Sequence, residues 1–398
     1  MKRFAAHYAL VADGQIVDNP LITTDDEGLV VSIERFDPST LDGVESVEFH
    51  SGVLLPTLVN AHSHVELAYL KGAIPRGCGF AGFAGAMAAV RDNFSDEERR
   101  EATAKADREM FEAGVGAVGD ISNDDSSFGI KARSLLHYHT FGEVFGLKVN
   151  NFERIRSYSG SGFFANAQND RENGAQDNRG GVFSITPHSL YSLNDELLKR
   201  VCREGEGVLS IHFMESEAER ELFEGRGSLF EWFTHQGFKP DFLGYGSPAE
   251  RLAACVPADR SVMLVHCTCV TQRDIDVIMN HFRAPVYWCL CPRSNDYISG
   301  LQPDVELLCR NGLKICIGTD SLASNTSLSP FEELKMIKNR AADEVLRWVT
   351  VNGAEALGVR GGAGRLEVGS RCGLTAVEGL DFAEGMRITE KSTISRLV

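Results

Sequence analysis

Eight short apolar runs, separated by helix-like segments, constrain the fold more than any other feature of this sequence. Continuous apolar strands that alternate with helices are typical of a parallel sheet covered on its outer face. Eight such units within roughly 300 residues favour closure into a (β/α)₈ TIM barrel, which we predict here. The runs are Val53–Ala61, Gly116–Ile121, Tyr138–Phe145, Gly181–Thr186, Val208–Phe213, Ser261–Cys267, Pro285–Cys291 and Leu313–Gly318.

The two ends of the chain have a different pattern. Residues 8–52 contain short strand-like runs with turn signals, and similar runs return from about Gly362. Since the termini of a domain often lie close together, we predict that both ends build one small β-sandwich domain. The predicted boundaries are residues 1–52 with 362–398 for the small domain and residues 53–361 for the barrel.

Local signals mark some helix starts and loops. Ser95 with Glu98 and Thr271 with Asp274 have the spacing of capping boxes, and Ser329 precedes a proline at a predicted helix start. Two stretches without clear periodicity are predicted to be exposed or long loops. They are residues 159–181 and residues 236–258.

The charge balance excludes two classes of partner. The chain has 40 basic and 56 acidic residues, a formal net charge of −16, which repels phosphate backbones and anionic lipid. We therefore expect neither nucleic acid nor a membrane as partner. No signal-peptide core and no run of ~18 apolar residues is present, so the expected location is the cytoplasm. Ten cysteines in 398 residues are too dilute for a disulfide scaffold, and reduced, mostly buried thiols are expected.

Histidine and aspartate stand where the predicted barrel strands end. His62 and His64 are separated by two positions, which directs both imidazoles to the same side of a strand. Later strand ends carry His212, His266 and Asp320. Because the carboxyl ends of all barrel strands converge on one face, where active sites are found, we expect these side chains to meet.

Three neutral histidines and one carboxylate form a donor set for Zn²⁺, Fe²⁺ or Mn²⁺ rather than Mg²⁺ or Ca²⁺. We predict one divalent ion held by His62, His64, His212 and Asp320. Such an ion lowers the pKa of a bound water to about 7. Glu215 follows His212 by three residues and is predicted to move a proton from this water to a leaving group.

Three other motifs resemble metal sites and are set aside. The segment His137–His139 lies early in the third strand, below the expected level of the site. Cys267–Cys269 and Cys289–Cys291 are CxC pairs instead of the wider CxxC of zinc ribbons, and we predict core thiols. His64–Glu66 matches half of the cytidine-deaminase signature, but no PCxxC follows in this chain.

Six motifs in order resemble the amidohydrolase superfamily, and within it the aminohydrolase branch that includes adenosine-type and S-adenosylhomocysteine deaminases. The motifs are LLPTLVNAHSHVEL (54–67), TPHSLYS (186–192), LSIHFMES (209–216), LVHCT (264–268), CPRSN (291–295) and IGTDSLASNTSLS (317–329). The chain departs from the branch near its C-terminus, where GSRCGL (369–374) replaces the frequent G-x-x-A-D-L. The loops at 66–94 and 151–180 are distinctive, so the substrate does not follow from the resemblance.

The resemblance implies a role for each motif residue. The four predicted ligands would hold a single metal ion, and the lack of a lysine at the end of the fourth strand fits one ion. Glu215 would shuttle the proton, His266 would orient the hydroxide, and Asp320 would also accept a proton from the water. Glu66 would bind a ribose or equivalent hydroxyl, and His188 would contact the substrate.

The leading hypothesis is hydrolytic deamination of a 6-aminopurine nucleoside derivative of the aminodeoxyfutalosine or adenosine type, with release of ammonia. One alternative keeps the metal and changes the heterocycle to guanine, cytosine, a chloro-triazine or a cyclic amide. Another alternative is an inactive barrel used as a scaffold. The expected partner is a small-molecule substrate, and Arg76 and Arg293 are candidates for binding its tail. The sequence leaves open whether the protein forms a homodimer.

Overall fold

Strands from both ends of the chain pair in one seven-stranded sheet. The structure, a computed structural model, describes residues 1–37, 39, 46–159, 181–359, 362–383 and 385–398. The strands of this sheet are β1 Lys2–Leu10, β2 Ile16–Asp18, β3 Pro20–Thr24, β4 Val30–Arg35, β5 Glu48–Leu55, β14 Thr375–Glu378 and β15 Thr393–Arg396. Their order is β15-β14-β5-β1-β3-β4, with β2 paired to β1. Phe4, Ile22 and Leu54 form its buried core with Leu366 and Leu374.

Eight further strands alternate with helices and are parallel to their neighbours. They are β6 Leu58–Ser63, β7 Val115–Ser122, β8 His137–Val144, β9 Val182–Pro187, β10 Leu209–Phe213, β11 Val262–His266, β12 Val286–Leu290 and β13 Lys314–Ile317. They form two four-stranded sheets, β6-β7-β8-β9 and β10-β11-β12-β13. Isolated parallel bridges join the two sheets at both edges, between Ser63 and Asp320 and between Ser189 and His212. The predicted TIM-barrel architecture is confirmed.

The first predicted run belongs to two different sheets. Residues 53–55 complete β5 in the terminal sheet, and the first barrel strand begins only at Leu58. Pro56 stands between the two strands. Because proline has no backbone N–H to donate to a ladder, it interrupts strand pairing at this point.

The helices follow the barrel strands. They are α1 Gly79–Val90, α2 Asp96–Glu112, α3 Phe128–Lys131, α4 Phe152–Tyr158, α5 Asp195–Glu204, α6 Glu217–Phe223, α7 Gly227–His235, α8 Pro248–Cys255, α9 Gln272–His281, α10 Pro292–Ile298, α11 Val305–Arg310, α12 Pro330–Leu334, α13 Ala342–Trp348 and α14 Val351–Leu357. Short 3₁₀ turns cover Val65–Leu70, Arg91–Asn93 and Leu243–Tyr245. Within the described ranges, no helix combines the length and the apolar character needed to cross a membrane.

Two of the three predicted helix starts have the expected cap. Ser95 and Glu98 form a complete capping box, as do Thr271 and Asp274. Ser329 makes no side-chain cap, and its helix begins with Pro330. The loop predicted for 236–258 was wrong in its second half, where α8 forms: Ser247 accepts a hydrogen bond from the Glu250 amide, and Pro248 occupies the first helical position. The loop predicted for 159–181 lies outside the described residues except at its two ends.

Helix α2 anchors the segment that follows the first barrel strand. Val65 and Ala68 of the 3₁₀ turn pack with Ala106 and Met110 of α2 in one buried apolar cluster. The amide of Val65 also donates a hydrogen bond of 2.8 Å to Asp120 at the end of β7. These contacts fix the backbone immediately after His64.

Candidate metal centre

Three imidazole rings converge at the carboxyl ends of β6 and β10. The Nε2 atom of His64 lies 3.2 Å from Nε2 of His62 and 3.3 Å from Nε2 of His212. The pairing register of β6 with β7 shifts between Asn60 and Ser63, an irregularity that re-aims side chains at a strand end. The two-residue spacing of His62 and His64 thus brings both rings to one point, as predicted.

Asp320 completes this group from the end of the eighth strand. Its Oδ1 lies 3.5 Å from Nε2 of His64. Its other oxygen, Oδ2, accepts hydrogen bonds from the hydroxyl groups of Ser294 at 2.6 Å and Ser324 at 2.9 Å. The backbone of Asp320 has a φ of 56°. The two serines therefore hold one oxygen and leave the other directed at the histidines.

The protonation of the rings fits a metal ion. The Nδ1–H of His212 donates to the carbonyl oxygen of His188 at 2.9 Å, which leaves the Nε2 lone pair free toward the other rings. Burial, reinforced by neighbouring histidines, lowers the pKa of His62 and His212 well below the usual value. Neutral imidazoles with one carboxylate suit a borderline divalent ion. Unlike His212, His62 and His64 have buried Nδ1 atoms without a described hydrogen-bond partner.

Glu215 lies just beyond β10, beside these histidines. Met214, with a φ of 50°, turns the chain at the strand end. The amides of Met214 and Glu215 donate to the two carboxyl oxygens of Glu219, at 3.1 and 2.8 Å. Burial raises the pKa of Glu215 above its ordinary value, while His266 opposes this shift. A carboxyl group in such a setting is suited to holding and releasing a proton.

His266 ends β11 and faces Glu215. Its Nε2 lies 3.9 Å from Oε2 of Glu215, and its ring stacks on that of His212 with 5.4 Å between centroids. Its Nδ1–H donates to Oδ1 of Asn295 at 3.0 Å. The orienting residues Ser294 and Asn295 both come from the CPRSN motif at the start of α10, so one short segment supports two strand ends.

The two residues expected to bind substrate are each held by polar neighbours. Glu66 is held by Asn123, whose amide N–H donates to both carboxyl oxygens at 3.0 and 3.1 Å and whose Nδ2 donates to Oε1 at 3.0 Å. His188, after β9, bonds through Nδ1 with the hydroxyl groups of Ser189 and Ser192. The ring of His188 lies beside that of His212, with 4.8 Å between centroids. Contact of Glu66 and His188 with a substrate stays a prediction.

The HxH segment of β8 and the two CxC pairs, which were set aside as metal sites, make other contacts. His139 bonds with the Leu357 carbonyl at 3.0 Å and the Ser184 hydroxyl at 2.8 Å. The cysteines of both CxC pairs are free thiols, and three of the four are buried. Arg76 and Arg293 line one cavity of about 130 Å³, where Arg76 pairs with Asp296 at 2.6 Å. None of the predicted metal ligands lines that cavity.

Sequence reasoning missed the residues that support the site. Asn123, Ser294, Asn295, Ser324 and Glu219 all bond to functional groups, yet polar residues of these types are common in loops. Another omission is Glu143, a buried carboxylate whose Oε1 lies 3.5 Å from Nδ1 of His212. The period of two along β8, which puts Glu143 on the same face as Phe141, was the signal available for it.

An eight-stranded parallel barrel with three histidines, an aspartate and a partly buried glutamate at its strand ends defines the class of metal-dependent barrel hydrolases. The model of the amidohydrolase family matches residues 53–395, and the chain belongs to this family.

Individual relatives share sequence and fold over most of their length. A 5-methylthioadenosine/S-adenosylhomocysteine deaminase from Haloarcula marismortui is 26% identical over 396 residues, covering 93% of this chain and 84% of the relative. The crystal structure of Helicobacter pylori aminofutalosine deaminase in complex with methylthio-coformycin has a TM-score of 0.76, with 22% identity and complete coverage of both chains. An adenosine deaminase from Xanthomonas campestris with bound zinc has a TM-score of 0.69, with 20% identity and coverage of 96% and 85%.

Proposed function

We propose that this protein is a metal-dependent aminohydrolase that removes the 6-amino group of a purine nucleoside derivative and releases ammonia. The observation that carries the proposal is the approach of the Nε2 atoms of His62 and His212 to within 3.2 and 3.3 Å of His64 Nε2, beside the partly buried Glu215. Matches to deaminases of adenosine-type nucleosides over most of the chain support the choice of substrate.

The proposed ligands of a single divalent ion are His62, His64, His212 and Asp320. Their nitrogen and oxygen donors fit Zn²⁺ or Fe²⁺, with Mn²⁺ as a third option. Such an ion supplies Lewis-acid activation of water at neutral pH. The paired serines on Asp320 and the His188 carbonyl on His212 keep two of the four ligands in place before an ion binds.

Glu215 is the proposed proton carrier. Burial raises the pKa of Glu215, which shifts this carboxyl group toward the protonated form that donates a proton. It delivers this proton to the ring nitrogen adjacent to C6 as the oxygen of water bonds to that carbon. Cleavage of the C6–N bond then expels the amine, which takes up one of the two protons of the water, and the second proton leaves the oxygen at C6 and returns to Glu215 as the C6=O bond forms. Water and the aminopurine thus yield the 6-oxopurine and ammonia.

Asp320 and His266 orient the water. Oδ1 of Asp320 has the unshared position needed to accept a proton from it, because the serines occupy only Oδ2. His266 is fixed by Asn295 at Nδ1, so Nε2 remains directed toward Glu215 and the reacting space. Fixed polar groups around the developing charge lower the barrier by electrostatic preorganisation.

A panel of aminopurine nucleosides tests this function. The metal-loaded protein is expected to release ammonia and shift the ultraviolet spectrum of adenosine, its 5′-substituted derivatives, or both, and a chelator should abolish turnover. Guanine, cytosine, a chloro-triazine and a cyclic amide serve as competing substrates. Turnover of one of these with none of any 6-aminopurine nucleoside would overturn the substrate assignment, and activity that withstands complete metal removal would overturn the chemistry.

A further inference from the structure

Glu143 stands on the inner face of the barrel at the level of the site. His139, Phe141 and Glu143 alternate along β8, and Phe141 packs in the barrel core with Ala61 and Ile121. His139, two positions before Phe141, forms a hydrogen bond with the Leu357 carbonyl. With a period of two, Glu143 is the next inward side chain toward the carboxyl end of the strand.

One oxygen of this carboxyl group accepts no hydrogen bond from the residues that the structure describes. Glu143 is 3% exposed, and no described residue donates to its Oε1. The nearest ring nitrogen, Nδ1 of His212 at 3.5 Å, already donates its hydrogen to the His188 carbonyl at 2.9 Å. An unsatisfied buried acceptor costs on the order of 1–3 kcal/mol, and more when it is charged. A buried carboxylate oxygen in this position is suited to a donor supplied by a ligand.

Glu143 lies close to a second carboxyl group, that of Glu66, and to the imidazole of His188. Asn123 lies between Glu143 and Glu66 and interacts with both, while its amide N–H and Nδ2 donate to Glu66. We use the name acceptor-rich wall for the surface formed by Glu66, Asn123, Glu143 and His188. This surface holds two carboxyl groups and an imidazole. The ring nitrogens of a 6-aminopurine nucleoside are acceptors, and the proposed function places its 6-amino group at the metal centre, whereas its sugar hydroxyl groups can donate. The wall therefore complements the sugar rather than the base.

We propose that Glu143 binds substrate by accepting a hydrogen bond from a sugar hydroxyl, next to Glu66. The proposal rests on the proposed nucleoside chemistry and adds a specificity-determining residue to it. The partner is a ribose-type hydroxyl, and a nucleoside that lacks this hydroxyl leaves the carboxylate unpaired in the complex.

A second cation is the competing occupant. The ligand atoms of Glu143, His188 and His212 lie within 4.8 Å of one another. However, Nε2 of His212 faces Nε2 of His64, and Nδ1 of His212 donates to the His188 carbonyl. Only two donors then remain for a second ion, fewer than the three or four protein ligands usual for zinc.

The test compares sugar hydroxyls in wild type and two variants. Glu143→Gln keeps the shape and weakens the acceptor, and Glu143→Met removes it. Adenosine, 2′-deoxyadenosine and 3′-deoxyadenosine are assayed for kcat/KM, and their dissociation constants are measured by calorimetry on chelator-treated protein. Glu153→Gln, at an exposed position shortly after the same strand, is the matched control.

Wild type should prefer adenosine over one deoxynucleoside by roughly 10- to 100-fold, and this ratio should approach one in Glu143→Met and fall partly in Glu143→Gln. Equal losses for all three nucleosides would overturn the proposal and leave Glu143 as a support for His212. Two bound metal ions in wild type, reduced to one in Glu143→Gln, would also overturn it. If wild type turns over no nucleoside, the proposed function fails. The ratio of the dissociation constants for the deoxynucleoside and adenosine, measured by calorimetry, then decides the role of Glu143. If the substitutions leave this ratio unchanged, or if no nucleoside binds, the proposed role of Glu143 is rejected.

Discussion

The two halves of the barrel build their parts of the site in different ways. The β6–β9 half contributes His62 and His64 and an acceptor-rich wall around Asn123, and its non-glycine strand ends have ordinary backbone angles in the described ranges. The β10–β13 half has four non-glycine residues with positive φ at its strand ends: Met214, His266, Cys267 and Asp320. Such conformations cost on the order of 1–3 kcal/mol each.

This difference indicates which half of the barrel fixes the positions of the reacting side chains. His266 and Asp320 are strained residues that are themselves proposed to take part in the reaction, and strained Met214 directly precedes Glu215, the proposed proton carrier. The two bridges that join the halves, Ser63 with Asp320 and Ser189 with His212, run through the same group of residues. We infer that the β10–β13 half positions the chemistry, whereas the β6–β9 half mainly binds substrate.

The largest effect should follow from Glu215→Gln. The amide cannot carry the proton, so kcat should fall by about 10²- to 10⁴-fold. Metal content, measured by elemental analysis, should remain that of wild type because Glu215 is not a proposed ligand. Retention of full kcat would remove Glu215 from the reaction.

A smaller loss is expected for Ser294→Ala. This change removes the 2.6 Å hydrogen bond to Asp320 Oδ2 and lets the carboxylate rotate. Residues that orient ligands are typically worth about 10- to 100-fold in metal affinity or activity. Metal affinity measured by chelator competition should fall in this range, while Ser157→Ala, in exposed α4, should match wild type. Equal affinities in both variants would show that Ser324 alone holds Asp320.

A substitution in the β6–β9 half should change KM more than kcat. Asn123→Ala removes the Nδ2 donor to Glu66 and should raise KM by about tenfold, with kcat changed much less. Steady-state kinetics on the preferred nucleoside separates the two parameters. A loss confined to kcat would contradict the division of labour between the two halves.

The smallest effect concerns stability and pH. Burial raises the pKa of Glu219, which holds the Met214–Glu215 turn, from 4.5 to about 8. The folded state then binds a proton that the unfolded state has lost between these values, so the free energy of unfolding decreases as pH rises through this window. The slope is at most about 1.4 kcal/mol per pH unit for one group. Urea unfolding from pH 5 to 8 should show a flatter slope in Glu219→Gln, and an identical slope would contradict this origin.

The convergence of His62, His64, His212 and Asp320 could be predicted from sequence, since strand-end histidines and aspartate reveal themselves through spacing and barrel geometry. The polar residues Asn123 and Glu143 of the β6–β9 half were missed. The division of Val53–Ala61 between two sheets could not be predicted, because both strands are apolar and only Pro56 marks the change. The strained angles at Met214, His266 and Asp320 were also inaccessible. They depend on tertiary contacts with Glu219, Asn295 and the two serines, which no local pattern identifies.

Anomalous diffraction at the absorption edge of the bound metal tests the central claim most directly. We predict one peak per chain, about 2.0–2.2 Å from Nε2 of His62, His64 and His212 and from Oδ1 of Asp320. A fully metal-loaded crystal without a peak at this position, or with the ion on other residues, would contradict the account.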